Sequence, residues 1–398
     1  MQIARAQTEA VERARAAPMR VWTERWAAVN SGSRNLDGLA MVAAMLADEF
    51  ASLPGELRLV AAEPVEDVDD LGVVRHVAHG ANLHLSVRPQ APVQLLLTGH
   101  MDTVYGADHA FQAVTLREPG VLGGPGVADM KGGLAVMLAA LRAVEASEAA
   151  PGIGYEVLIN ADEEVGSSGS APLIARAASG KHAALTYEPA LAPDGTLAGS
   201  RPGSGNFAIS IRGRSAHAGR NPEDGRNALV ATADLAVRLK AAADGALKVN
   251  PARITGGGPN NVVPDFGLLR VNLRPATPDD EQRARALLDD VTRAIARDHD
   301  VTVQTHGAFG RPPKPLTPES ERLFALVRDA GRDLGQDIGV RASGGVCDGN
   351  NIAACGVPVV DTMGVRGGAI HSQDEYLILD SLPERAALSA LTILRLAA

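Results

Sequence analysis

The sequence predicts an α/β fold: a mixed, mostly parallel sheet flanked by helices and interrupted by an inserted ferredoxin-like unit. Three observations carry that prediction. Strand-like runs that are apolar throughout, as strands buried on both faces must be, alternate with helical patterns in the first and last parts of the chain. Between those parts lies a stretch ordered β-α-β-β-α-β, the split ferredoxin-like arrangement. A Gly-, Pro- and Ser-rich segment at 193–205, expected to act as a hinge, and a proline cluster at 312–315 bracket it. The chain has 398 residues, well beyond one ordinary core of ~100–150, so two domains are expected. Residues 1–202 and 313–398 would form one discontinuous domain, and residues 203–312 the insertion.

Apolar residues recur at helical spacing over 19–30 and 35–52, through Trp22 and Trp26 and then Leu39, Val42 and Leu46. Strands are expected at 57–62, 73–79, 83–87 and 93–98, the last nearly all apolar. An apolar helix at 132–144 and strands at 155–160 and 183–186 follow. Within the insertion the order is strand 207–212, helix 226–243, strands 247–254 and 266–274, helix 278–297 and strand 301–305. Thr277 and Pro278 suit the N-cap and first position of that second helix. The α/β pattern then resumes with a helix from 317 and strands at 339–342 and 357–362. Ser381-Leu382-Pro383-Glu384 has the spacing of a capping box at the start of the last helix.

Composition narrows the function. Lys plus Arg total 38 and Asp plus Glu 47, a net charge of −9, which argues against nucleic acid or an anionic membrane as the main partner. Cys347 and Cys355 form no CxxC pattern, so a disulfide framework and a cysteine zinc site are excluded and a reducing compartment is expected. The first residues show no apolar signal core, and the longest apolar run, 134–141, stops at Arg142, short of the ~20 residues that span a bilayer. A soluble, cytoplasmic protein is the expectation.

The chemically capable residues stand where buried strands end, which is where open α/β sheets carry their sites. His100-Met101-Asp102 follows the strand at 93–98; His100 can ligate a metal while Asp102 accepts its other ring N–H, or the segment is simply a polar turn. Asp129 precedes an apolar helix in a Gly-rich loop, as a ligand or as an N-cap; the phosphate-loop order GxxxxGK[ST] is absent. Asp162-Glu163-Glu164 closes the strand at 155–160, and three carboxylates there are costly unless a cation neutralises them or water solvates the turn. Glu188 closes the strand at 183–186, and His371 follows Gly367-Gly368. Together His100, Asp129, Glu164, Glu188 and His371 give two imidazoles and three carboxylates, a set that suits zinc or a similar divalent ion. Two ions sharing one carboxylate need one bridging ligand and two others each, which five residues supply. Glu163 is then a spare carboxylate placed to act as general base.

With these segments the chain resembles the co-catalytic zinc peptidases and deacylases: glutamate carboxypeptidase, acetylornithine deacetylase and succinyl-diaminopimelate desuccinylase. His100-Met101-Asp102-Thr103-Val104, Asp129-Met130-Lys131-Gly132-Gly133, Asp162 through Ser167, and His371-Ser372 occur in that family's order over nearly the whole chain. The resemblance implies a two-metal aminopeptidase-like catalytic domain with an inserted lid and dimerisation domain. It places one ion on His100, Asp129 and Glu188 and the other on Asp129, Glu164 and His371, with zinc first and cobalt or manganese as alternatives. Glu163 would activate a bridging water, Asp102 would orient His100, and the Asp129–Met130 peptide bond would be cis. In the insertion, Arg214 through Gly219 resembles the segment whose histidine, here His217, reaches a partner subunit's site to stabilise the oxyanion. Strand 207–212 is expected at the sheet edge, where it would pair across a two-fold axis. Asn261 resembles a lid residue near the substrate, and Arg274 and Arg311 resemble positions that hold its carboxylate, or else serve as surface ion-pair residues.

The motif set, with Glu188-Pro189, is most similar to the glutamate carboxypeptidase branch. Two positions depart from it. Thr196 stands where some glutamate-specific members carry a basic residue, with Arg201 nearby, and Cys347 stands where Ser or Thr is usual. The reading is a homodimeric two-metal hydrolase that cleaves an amide next to a free carboxylate, in an N-acyl amino acid or small peptide. An N-acyl-amino-acid deacylase, such as acetylornithine deacetylase, is the alternative within the class. A two-metal phosphatase and a metal-free amino-acid-binding or regulatory protein are the rivals outside it.

Overall fold

The computed structural model describes residues 4–398. A six-stranded sheet runs through its main body in the order Glu56–Val60, Asn82–Val87, Ile153–Asn160, Val93–His100, Ala183–Thr186, Val359–Val360. The first two pairings are antiparallel and the remaining three parallel. Alternation along each strand divides its apolar side chains between two cores. Leu95, Leu97, Val157 and Ile159 join a large core with the helices at Leu36–Phe50, Gly132–Glu145 and Ser381–Leu396. Leu96, Leu158 and Ala184 face the opposite side, against helices Ala171–Ala178 and Asp348–Ala354. Gly132–Glu145 is apolar on almost every side because it lies inside the large core, against Ser381–Leu396, Arg5–Arg15 and Met19–Ala27. Among the described residues, no helix is long and apolar enough to cross a membrane. Cys347 is buried, Cys355 is exposed, and both are free thiols.

The inserted unit is a four-stranded antiparallel sheet in the order Leu247–Gly256, Phe266–Pro275, Ser204–Arg212, Thr302–Arg311. Helices Ala228–Ala241 and Pro278–His299 cover one face, and Phe207, Ile209, Ile211, Leu235, Leu269 and Leu288 share its own core. Thr277 caps the second helix in a capping box with Asp280. The order corrects one expectation. The strand at 207–212 is interior, flanked by Phe266–Pro275 and Thr302–Arg311, and the free edges are Leu247–Gly256 and Thr302–Arg311. Each crossover helix in this topology spans two strand positions, and the gap it leaves is filled by a strand of the other half.

Three further expectations change. The 193–205 segment is a largely buried, paired crossing rather than a loose hinge: Leu197–Ala198 pairs with Val340–Arg341, and Arg201 bridges to Lys314 where the chain leaves and re-enters the main body. Ser381 does not close a capping box; its hydroxyl donates to the Ile378 carbonyl at 2.6 Å and accepts from the Arg366 N–H at 3.0 Å, and the helix is capped by Asp380 without a side-chain bond. The strand expected at 73–79 belongs to a separate hairpin, Val65–Val68 with Val74–Val77. That hairpin lies on the inserted sheet's second face, where Val68 packs with Ala208 and Leu268 and Asp70 pairs with Arg253 at 2.6 Å.

At the crossing, Asp361 binds Arg201 at 2.7 and 3.0 Å and lies 2.9 Å from Lys314, and all three are buried. Burial opposes the Asp361 charge, but Arg201 and Lys314 overcome it and hold its pKa down at about 2. Asp361→Ala leaves two buried cations unpaired, and urea unfolding at pH 7 should show a loss of about 3–5 kcal/mol. The folded carboxyl titrates below the ordinary unfolded value of ~3.9, so its stabilisation is complete above that pH and lost as pH falls toward 2. The gap between wild type and variant should therefore close below about pH 4.

Candidate active site

Three neighbouring parallel strands end on one edge of the central sheet, and each delivers acidic or imidazole groups there. Val93–His100 ends in His100, Ile153–Asn160 leads to Asp162, Glu163 and Glu164, and Ala183–Thr186 leads to Glu188. Asp129 arrives from the turn that opens the Gly132–Glu145 helix, and the Asp129–Met130 peptide bond is cis. His371 comes from a loop between Gly367–Gly368 and Tyr376–Ile378, two strands of a small antiparallel sheet.

The side chains form a continuous chain. His100 Nε2 lies 3.1 Å from Asp129 Oδ1 and 3.8 Å from Glu188 Oε2. His371 Nε2 lies 3.3 Å from Asp129 Oδ2 and 3.2 Å from Glu164 Oε2. Ligand atoms of His100, Asp129 and Glu164 fall within 4.8 Å of one another, as do those of His100, Glu163 and Glu188, so either trio can hold a metal ion. Asp102 sits beneath them, fully buried. Its Oδ1 is 3.3 Å from His100 Nδ1 and accepts from the Glu163 N–H at 3.2 Å. Its Oδ2 accepts from the Glu164 N–H at 3.2 Å and from the Ser33 hydroxyl at 2.7 Å.

Charge in this pocket is strained by burial. Burial pushes the carboxyls of Glu163 and Glu188 up to about 8 and that of Glu164 up to about 7, with Asp129 adding repulsion at Glu164. Asp129 goes the other way: burial opposes its charge, but His100 and His371 hold it below the usual carboxylate range. Hydrogen bonds to Asp129 and Glu164 raise His371 to about 11. Glu188 Oε1 is buried without a hydrogen-bond partner. An unpartnered buried oxygen and carboxyls that resist ionising are what a cation would relieve, and the imidazole and carboxylate donors suit a divalent one.

Arg311, expected at the substrate, is buried against Glu163 and Asp348. Its Nη2 is 2.6 Å from Glu163 Oε1 and 2.9 Å from Ser167 Oγ, and its Nη1 binds Asp348 and, at 2.8 Å, Asn351. Arg274 is half-buried and donates to Asn272 Oδ1 at 2.9 Å and to the Gly344 carbonyl at 3.1 Å. Arg201 is taken up by Asp361, and Thr196 is buried nearby. Cys347 is buried, and burial pushes its thiol up. His217 and Asn261 belong to the inserted unit. They lie on exposed neighbouring loops of the inserted unit, joined by the Ala218 N–H donating to the Asn261 carbonyl at 2.9 Å. His217 Nδ1 accepts from the N–H groups of Gly219 and Arg220 at 3.1 and 3.2 Å. Among the described residues, no hydrogen bond or ion pair joins either side chain to the cluster.

Glu375 stands in no motif of the sequence. Fully buried, it accepts from the N–H groups of Ala128 and Asp129 on one oxygen, at 3.0 and 3.1 Å. The other oxygen accepts from the Gly126 N–H at 3.2 Å and the Tyr105 hydroxyl at 3.0 Å. It thereby fixes the turn that carries Asp129. Lys131 is also buried and donates to Ser31 at 2.8 Å; burial lowers it to about 8. The one signal for Glu375 in the sequence is its place four residues after His371.

Comparison with known proteins identifies the family and the fold. Residues 96–395 match the model of peptidase family M20/M25/M40. Carboxypeptidase G2 of Pseudomonas sp. (strain RS-16) is 32% identical over 327 residues, covering 80% of this chain and 78% of that protein. A succinyl-diaminopimelate desuccinylase of Psychrobacter arcticus is 26% identical over 312 residues, covering 74% and 76%. The solved structure of the M20 family metallo-carboxypeptidase Sso-CP2 from Sulfolobus solfataricus shares the fold, with a TM-score of 0.74, 14% identity and coverage of 96% and 99%. The sequence motifs, the mixed sheet with its inserted antiparallel unit and these matches have one common reading: this chain belongs to peptidase family M20/M25/M40, an enzyme family of metallopeptidases and amidohydrolases.

Proposed function

We propose that the protein is a two-metal amidohydrolase of the carboxypeptidase G2 kind, cleaving an N-acyl amino acid or small peptide at an amide next to a free carboxylate. The observation that carries this reading is the unbroken chain Glu188–His100–Asp129–His371–Glu164 with Glu163 at its side. His100, Asp129 and Glu188 would hold one divalent ion and Asp129, Glu164 and His371 the other, zinc first, with cobalt or manganese able to replace it. Such ions supply polarisation of the scissile carbonyl and a water of lowered pKa. Glu163 takes the proton of the attacking water and returns it to the leaving amine. Arg311 occupies Glu163 Oε1, which orients the carboxyl and leaves Oε2 for the proton. Asp102 fixes the His100 ring and, through two backbone N–H groups, the Glu163–Glu164 turn. Asn261 and Arg274 would meet the substrate from the inserted unit. His217 is exposed and, among the described residues, bonded to none of its own chain's cluster, and in our reading it serves the partner's site of a homodimer as an oxyanion donor.

Four variants separate these roles. Glu163→Gln should keep its metal and lose ~10²–10⁴-fold in turnover on a panel of N-acyl amino acids and dipeptides. His100→Ala and Glu164→Ala should instead lose bound metal, as elemental analysis of the purified proteins will show. A Glu163→Gln enzyme with near-native turnover would remove the assignment. Glu375→Gln should weaken metal binding by ~10–100-fold in a chelator competition, because it withdraws acceptors from the turn that aims Asp129.

The dimer reading has its own measurement. Glu163→Gln and His217→Ala protomers are mixed under conditions of subunit exchange, so that about half the dimers are mixed, each with one of two sites intact. Recovery of about a quarter of wild-type activity is expected. Verified exchange with no recovery would place His217 outside the partner's site.

A further inference from the structure

Two arginines are committed to buried ion pairs: Arg311 to Glu163 and Asp348, and Arg201 to Asp361. Arg34 is not. It is exposed, and among the described residues its guanidinium has no hydrogen-bond or ion-pair partner. Its backbone is well fixed, between Ser33, which donates to Asp102, and Asn35, which caps the Leu36–Phe50 helix.

A hollow of about 230 Å³ opens at this point, walled by Ser33, Arg34, Thr103, Val104, Glu164 and Val165. Glu164 joins the hollow directly to the cluster through its contact with His371. Val104 and Val165, at 41% and 38% exposed, are among the chain's exposed large apolar side chains, and both stand on this one wall. The hollow thus offers apolar contact, a guanidinium without an ion-pair partner among the described residues, and one wall, Glu164, that it shares with the cluster. That combination suits a short methylene stem ending in an anion.

We propose that Arg34 is a specificity-determining residue for a second substrate carboxylate, carried on a short methylene stem and distinct from the carboxylate beside the scissile amide. The inference rests on the amide-hydrolase reading of the cluster. The planar guanidinium pairs with a carboxylate through two parallel hydrogen bonds, which an uncharged isostere cannot reproduce. The second carboxylate can belong to the amino-acid side chain or to the acyl group, and the experiment tells the two apart.

The test measures binding to zinc-loaded Glu163→Gln protein by calorimetry, with and without Arg34→Gln, so that turnover is not needed. N-acetyl-glutamate is paired with N-acetyl-glutamine, and N-succinyl-alanine with N-butyryl-alanine. Arg34→Gln should weaken one acidic ligand by about 10–100-fold and leave its uncharged counterpart within about twofold. Arg34→Lys should restore part of the loss. The pair that responds identifies which end of the substrate carries the carboxylate. Equal losses on charged and uncharged ligands, no loss on either acidic ligand, or no binding of either would each overturn the proposal. Turnover of the same four compounds by the wild-type enzyme tests the amide-hydrolase reading separately: hydrolysis of none removes that reading, while the binding ratios still decide Arg34.

Discussion

Repulsion between buried carboxylates governs the architecture of this site. Asp129, Glu163, Glu164 and Glu188 converge where three parallel strands end, and two like charges ~4 Å apart repel by about 4 kcal/mol at an effective dielectric near 20. Several such pairs would rival the roughly 5–15 kcal/mol by which a domain is stable. Much of the surrounding structure answers that repulsion. His100 and His371 alternate with the carboxylates, Arg311 lies on Glu163, and Asp102 and Glu375 are held by backbone N–H groups. The arrangement is poised for added positive charge, and the raised carboxyls of Glu163, Glu164 and Glu188 are its signature.

Much of this was legible in the chain because the constraint acts locally. A buried strand such as Val93–His100 must be apolar, so the first polar residues after it mark the sheet's edge and the site with it. The same logic exposes Asp162-Glu163-Glu164 and Glu188. The inserted unit was equally legible, since its element order and the Thr277 cap are local signals. Its sheet order was not. Strand Ser204–Arg212 has no feature that distinguishes an edge from an interior position, and topology alone puts it inside. Ser381 shows the complementary failure: the right spacing for a capping box was overridden by contacts with Arg366 and Ile378.

Arginine was the hardest residue to read, because its role is set by partners distant in sequence. Arg311 resembles a residue that grips the substrate and Arg201 stands near a position that can be basic, yet each lies in a buried ion pair, 37 residues from Asp348 in one case and 160 from Asp361 in the other. Arg34, by contrast, sits among small polar residues, in a segment with no recognisable motif. Its lack of an ion-pair partner among the described residues and the hollow beside it give it meaning. Glu375 repeats the lesson for carboxylates: its bonds to Ala128 and Asp129 span 247 and 246 residues.

The last strand of the inserted unit, Thr302–Arg311, does not end at a neutral seam. Its final residue is the guanidinium that holds Glu163, so the orientation of the proposed base depends on a side chain that arrives with the insertion. The insertion is therefore not an exchangeable cassette. Excised at the paired crossing of Arg201 and Lys314, it would take that cation with it and leave a buried carboxyl without its counter-charge. A unit grafted in its place would have to bring an arginine at the same step of its own final strand.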